Sequence, residues 1–311
     1  MSKLTKSTLL SITAIIFILF SACSNMNKNS DYKLYESETG KELSLEKMAD
    51  KLLNYDVIFF GEFHDDSLIH SVESQILPLL YNKKKNLTIS MEMFERDVQK
   101  VLNDFLANKV DEEKFIEDSR AWPNYSTDYK EIVEFAKTNN LDIIASNVPR
   151  RYASLIAKQG VESFKSIPEN EQKYVAKKLT VLDNEYKKNF IATMKANMKA
   201  RMPKMENQNG REMPFQMMKG FDNIYSAQCL KDDTMAESIF RYLQQHPGTL
   251  IIHYNGNFHS EFHLGTANKL QLLDENLKIA VISPVAIEED TELTYSQKDK
   301  DRGDFLLILH K

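Results

Sequence analysis

The chain has 311 residues, 42% of them hydrophobic, with 40 basic against 45 acidic side chains and a formal net charge of −5. This balance is the wrong sign for neutralising a polyanion, so no nucleic-acid partner is expected. With only two cysteines, Cys23 and Cys229, a disulfide framework is excluded and the fold must rest on an apolar core.

Residues 1–22 read as a lipoprotein signal peptide. Lys3 and Lys6 form a short positive region, and Leu9 to Phe20 supply an apolar run of about 12 residues, too short to span a hydrocarbon core of roughly 30 Å. In Leu19-Phe20-Ser21-Ala22-Cys23 the small residues open the backbone to a peptidase, and the cysteine thiol is the nucleophile that takes diacylglyceryl. Cleavage there leaves 38 basic and 45 acidic side chains, a net of −7. Acyl chains on Cys23, each methylene contributing ~0.8 kcal/mol, would hold the protein on a membrane without a spanning helix. Ser24 stands where an aspartate would favour inner-membrane retention, so the expected location is the bacterial cell envelope at the outer membrane. Residues 23–45 are expected to be a tether and lead-in, and 46–311 the folded domain.

Short apolar runs then alternate with helical stretches, the pattern of an α/β domain. Strands are expected at 55–60, 86–94, 141–146, 249–254, 278–283 and 304–310, giving a mainly parallel sheet of about five to six strands flanked by helices. Helices are expected at 66–82, 97–118, 127–139 and 149–159. A long helical region over 169–245 does not fit the alternation and predicts a helical cap, an insertion over about 160–245 with a loop near 203–214. Seven of the 13 methionines fall between Met194 and Met218. Methionine is unbranched and adapts to flat apolar ligands, although it serves helix packing equally well.

Ligands of parallel α/β sheets bind outside the carboxyl ends of the strands, and the polar residues gather there. The first strand runs into Gly61-Glu62-Phe63-His64-Asp65-Asp66, with His70 soon after. The second carries Glu92 between Met91 and Met93, where an unpaired buried carboxylate would cost several kcal/mol and needs a partner. The third leads to Asn147 and Pro149-Arg150-Arg151-Tyr152. The fourth carries His253 and Asn255-Gly256-Asn257-Phe258-His259, with His263 four residues on. Asp65 and Asp66 suit helix capping, and His70 and His253 suit the edge of a core. Arg150 and Arg151 at a helix start could hold an anion. Tyr152 beside them is a candidate tyrosinate, because cations and ferric iron lower a phenol pKa. Tyr225 is the competing phenol.

Five segments in this order, together with the lipobox, resemble the ChaN family of haem-binding, iron-regulated lipoproteins. They are Gly61 to Asp66, Glu92 in Met-Glu-Met-Phe, Asn147 to Tyr152, Ala227 to Ala236 and Asn255 to His259. The resemblance implies ferric haem as cofactor and two monomers closing over two face-to-face haems. A tyrosine of one subunit would ligate iron, assigned to Tyr152 with Tyr225 second. His259 or His263 and Lys231 would hold the propionates. It also implies handover from a haem receptor or to a permease. The wider superfamily is similar to erythromycin esterases and Tiki-type proteases, which implies an alternative: a hydrolase with His64 as base, tuned by Glu92 and assisted by Glu62 or His259. On that alternative Glu62, His64 and His259 could bind a divalent metal. No G-x-S-x-G motif is present, and Cys229 has no evident activating pair.

Overall fold

The computed structural model describes residues 31–201 and 215–311. Cys23 lies outside the described residues, as do Met202, Met205, Met213 and the whole of the expected 203–214 loop. The described residues form β1 (Tyr32–Glu36), β2 (Lys41–Leu43), α1 (Leu45–Leu52), β3 (Val57–Glu62), α2 (Ser67–Lys83), β4 (Leu87–Glu95), α3 (Gln99–Leu106), α4 (Glu112–Ser119), α5 (Lys130–Asn139) and β5 (Ile143–Asn147). There follow α6 (Arg150–Gln159), α7 (Glu185–Arg201), α8 (Phe215–Gln245), β6 (Leu250–Gly256), α9 (Gly265–Leu273), β7 (Ile279–Ile287) and β8 (Phe305–His310).

One sheet carries all eight strands in the order β2-β1-β8-β7-β3-β6-β4-β5. The six from β8 to β5 are parallel to one another, and they are the six that the apolar runs predict. The count of about five to six falls short because β1 and β2 form an antiparallel hairpin on the β8 edge. Their sequences, Tyr-Lys-Leu-Tyr-Glu and Lys-Glu-Leu, are short and charged. Such residues belong on a sheet edge, where they discourage pairing with other chains. In sequence they resemble a polar lead-in.

The parallel strands are apolar on both sides because helices cover both. In β3, Ile58 and Phe60 join the cluster beneath α1, α2, α3 and α5, while Val57 and Phe59 join Ala236 and Ile239 of α8 and Ala267 of α9. Period-two alternation thus sorts one strand into two cores. Ser44 accepts a bond from Lys47 N at the start of α1. Asp66 accepts from Leu68 N and Ile69 N at the start of α2, the capping role expected of it. The helical stretch after α6 divides into two short 3-10 turns, then α7 and α8; the second half of α8 lies on the sheet itself. Among the described residues no helix is long and apolar enough to cross a membrane.

Candidate functional site

The carboxyl ends of β3, β4 and β6 deliver Glu62, Glu92 and Gly256 side by side. Glu62 is in register with Gly256, and Met91 with Tyr254. Above them opens a cavity of about 1250 Å³ that includes His64, Glu92, Lys231 and His259 in its lining, with Phe190, Met194 and Phe258 on its apolar side. That is roomier than the roughly 300–1,000 Å³ of ordinary small-molecule pockets.

Two carboxylate–imidazole assemblies meet there. In the first, His259 donates from Nδ1 to Asp232 Oδ1 at 2.6 Å, and its Nε2 lies 3.2 Å from Glu92 Oε1. Asp232 also accepts from Thr266 Oγ1 at 2.8 Å and Tyr186 OH at 2.9 Å. Glu92 accepts from Gly256 N at 2.9 Å, with Lys231 Nζ 3.9 Å away. Burial works against charge on both His259 and Glu92, but the pairing overcomes it. His259 is held up to about 9 by Glu92 and Asp232, and Glu92 far below the usual carboxylate range by His259, Lys231 and His64. The buried Glu92 thus has the partner its sequence setting required.

In the second assembly, His64 donates from Nδ1 to Glu62 Oε1 at 2.6 Å. Tyr129 donates its hydroxyl to the same oxygen at 2.7 Å. The His64 side chain is 44% exposed on the cavity. Burial opposes its charge, yet Glu62 and Glu92 raise its pKa above the ordinary value. Gly256 makes room for it: a Cβ there would lie 2.8 Å from His64 Cε1 and Nε2. Gly265 serves the other assembly: its φ is +53°, a left-handed conformation that favours glycine, and a Cβ there would meet the His259 carbonyl at 2.5 Å.

Residues 48–270 match the protein family described as haem-binding uptake, Tiki superfamily, ChaN. The chain belongs to this ChaN family. Its fold is similar to a structure described as cofacial haem binding to ChaN of Campylobacter jejuni, with 20% identity, a TM-score of 0.67 and coverage of 89% of this chain and 96% of that one. More distant are an erythromycin esterase mutant in its open conformation (10% identity, TM-score 0.46, 82% and 77% covered) and a Bacillus cereus protein (12%, 0.47, 86% and 92%). No curated protein matches the chain.

Within this ChaN fold the residues singled out from sequence fall into three groups. Glu62, His64, Glu92, Lys231 and His259 share the cavity. Tyr152, Tyr225, Arg150 and Arg151 are not among its lining residues. Tyr152 packs in the cluster between α6 and α8, and its hydroxyl donates to Glu171 Oε2 at 2.6 Å. Arg151 is paired with Asp97 at 2.6 Å and with Glu171, and its guanidinium sits over the Tyr152 ring. Burial and Glu171 raise the Tyr152 pKa despite Arg151, whereas a tyrosinate needs it lowered. Arg150 is exposed at the start of α6. Tyr225 is buried beside Phe190, donates to the Leu182 carbonyl at 2.8 Å, and has its pKa pushed up by burial. His263 pairs with Asp304 at 3.0 Å beside a separate, smaller cleft.

His253 is a core residue: Ser90 Oγ lies 2.9 Å from its Nδ1, and burial lowers its pKa to about 3, keeping it neutral. Cys229 is buried with its thiol pushed up to about 12, which makes it inert. Glu62, His64 and His259 do not converge on one point, because the two His259 nitrogens face Asp232 and Glu92. Sequence reasoning missed Asp232, Tyr129 and Glu73. A signal was present: Gly-x-Phe-His occurs at 61–64 and again at 256–259, ending two adjacent parallel strands and delivering the two cavity histidines.

Proposed function

We propose that this protein binds haem in the carboxyl-end cavity, with His64 rather than Tyr152 or Tyr225 meeting the iron, and acts as a lipid-anchored component of haem uptake. One observation carries the assignment: a buried carboxylate fixes His64 at Nδ1, leaving Nε2 as the ring nitrogen available on the cavity side. A histidine whose second nitrogen is held by a carboxylate is oriented and made more basic for a metal. Haem supplies iron whose reactivity is set by such axial partners. The rest of the donor set fits a flat apolar ring with two anionic tails. Phe190, Met194 and Phe258 give an apolar surface, and Lys231, also in the lining, gives a cation for a propionate. A second copy laid over the open side would bury the remaining porphyrin face, which makes dimerisation haem-linked.

Hemin titration of the domain tests this. His64→Ala should shift the absorption band and weaken binding at least tenfold, while Tyr152→Phe and Tyr225→Phe leave the spectrum unchanged. Loss of the spectrum in either tyrosine variant, with His64→Ala unaffected, would return the ligand to tyrosine. The two carboxylate–imidazole assemblies around one cavity also support a hydrolytic reading, with His64 taking a proton from water and Glu62 steadying the resulting cation. Turnover of an ester or peptide panel, abolished by His64→Ala in haem-free protein, would establish that activity.

A further inference from the structure

The haem reading uses one oxygen of Glu62 and leaves the other unexplained. Oε1 accepts from His64 and Tyr129, but Oε2 is buried without a hydrogen-bond partner, and so is Glu73 Oε1. Both residues are almost wholly buried, at 2% and 0% exposure. Between them lies His70, whose Nδ1 is 2.9 Å from Glu73 Oε2 and 3.9 Å from Glu62 Oε2. One ligand atom from each of the three residues lies within 4.8 Å of the others. Among the described residues no lysine or arginine pairs with Glu62, Glu73 or the neighbouring Asp128. Buried carboxylate oxygens left without a donor are rare because they are costly.

We propose that Glu62, His70 and Glu73 form a binding site for a divalent transition-metal ion, set behind the cavity and separate from any haem. Two carboxylates and one imidazole are a donor set for zinc, manganese or ferrous iron; it lacks the thiolates of a copper(I) site and the six or more oxygens of a calcium site. An ion with bonds of about 2.0–2.2 Å separates its ligand atoms by about 3.4 Å in a tetrahedron, a value bracketed by the 2.9 Å and 3.9 Å of His70 Nδ1 from the two carboxylates. The supporting contacts are in place as well. His70 Nε2 lies 3.3 Å from the His64 carbonyl, fixing the ring so that Nδ1 faces the carboxylates. The Tyr129 ring stands edge-on to His70 with centroids 5.1 Å apart. Asp128 lies 3.8 Å from His70 Nε2 and also lines the cavity, which gives an ion a polar way in. The inference does not depend on haem.

The test uses haem-free protein stripped with a chelator and offered Mn²⁺, Co²⁺ or Zn²⁺ alone. One equivalent should bind, with cobalt giving a visible d–d spectrum. His70→Gln and Glu73→Gln should each weaken binding at least hundredfold while keeping the wild-type circular dichroism. His259→Gln should retain it. X-ray absorption at the zinc edge should show one imidazole among oxygen ligands, an answer that survives even if one variant fails to fold. No stoichiometric ion, or an ion kept by both His70→Gln and Glu73→Gln but lost with His259→Gln, overturns the site. The first result would leave a carboxyl pair sharing a proton; the second would move the metal to the cavity. Neither bears on hemin binding, which is measured separately.

Discussion

Replacing His259 by glutamine removes the cation from the most heavily charged buried assembly of the described chain. His259 reaches a pKa of about 9 in the folded protein, against about 6.5 unfolded. At 1.36 kcal/mol per unit that difference corresponds to about 3.4 kcal/mol of stability. The depression of Glu92 is the same attraction seen from its partner and is not added. The sign follows from a raised folded pKa: the contribution is complete below about pH 6.5 and disappears as pH rises through 9. His259→Gln also leaves Glu92 and Asp232 buried, with Lys231 Nζ still 3.9 Å from Glu92 Oε1, and breaking such an assembly costs about 3–5 kcal/mol. Urea unfolding at pH 6 and pH 9.5 measures both effects. Wild type should lose about 3 kcal/mol between the two, and His259→Gln should start lower and lose much less. If the two proteins lose equal stability over that interval, or if nuclear magnetic resonance places the His259 titration near 6.5, the charged assembly is not as described.

Gly256→Ala would press a methyl group to within 2.8 Å of the His64 ring. It should cost about 1–3 kcal/mol by overpacking, and hemin titration should show weaker binding as His64 is displaced. Arg96 donates to the carbonyls of Val175 and Thr234 and to Ser238 Oγ, tying the end of β4 to α8. Arg96→Leu strands those acceptors and should lower stability by about 2–5 kcal/mol in thermal or urea unfolding, at about 1–3 kcal/mol for each buried group left unpaired. Cys23→Ala should release the protein from the membrane fraction, and mass spectrometry of the wild type should find acyl chains on Cys23; a membrane-bound Cys23→Ala protein would refute lipid anchoring.

The parallel part of the sheet was legible because a strand covered on both faces is apolar throughout, as Val57 to Phe60 and Leu250 to Ile252 are. Strands β1 and β2 were not legible, since an edge strand carries the same charges as a tether. At the site, Glu92 announced itself as a carboxylate between methionines. Asp232 did not, because an aspartate within Lys-Asp-Asp-Thr looks like the wet side of a helix until α8 turns it toward His259. For Tyr152 the expected lowering of its pKa is reversed. Adjacency to Arg150 and Arg151 suggested a lowered phenol pKa, but Arg151, although it lies over the Tyr152 ring, pairs with Asp97 and Glu171, and the phenol donates to that same Glu171 carboxylate. A carboxylate shared by both neighbours reverses what the adjacent cation alone would do to the phenol.

The two oxygens of Glu62 face different partners, one toward His64 on the cavity and the other, buried, toward His70 and Glu73. A substitution at that position therefore disturbs both at once, and a loss of haem binding in such a variant would carry no information about which side mattered. His64 on one side and Glu73 on the other are the positions from which the two can be probed in turn. Because one carboxylate serves both sides, a change of charge at Glu73 would also alter how firmly Glu62 holds the His64 imidazole.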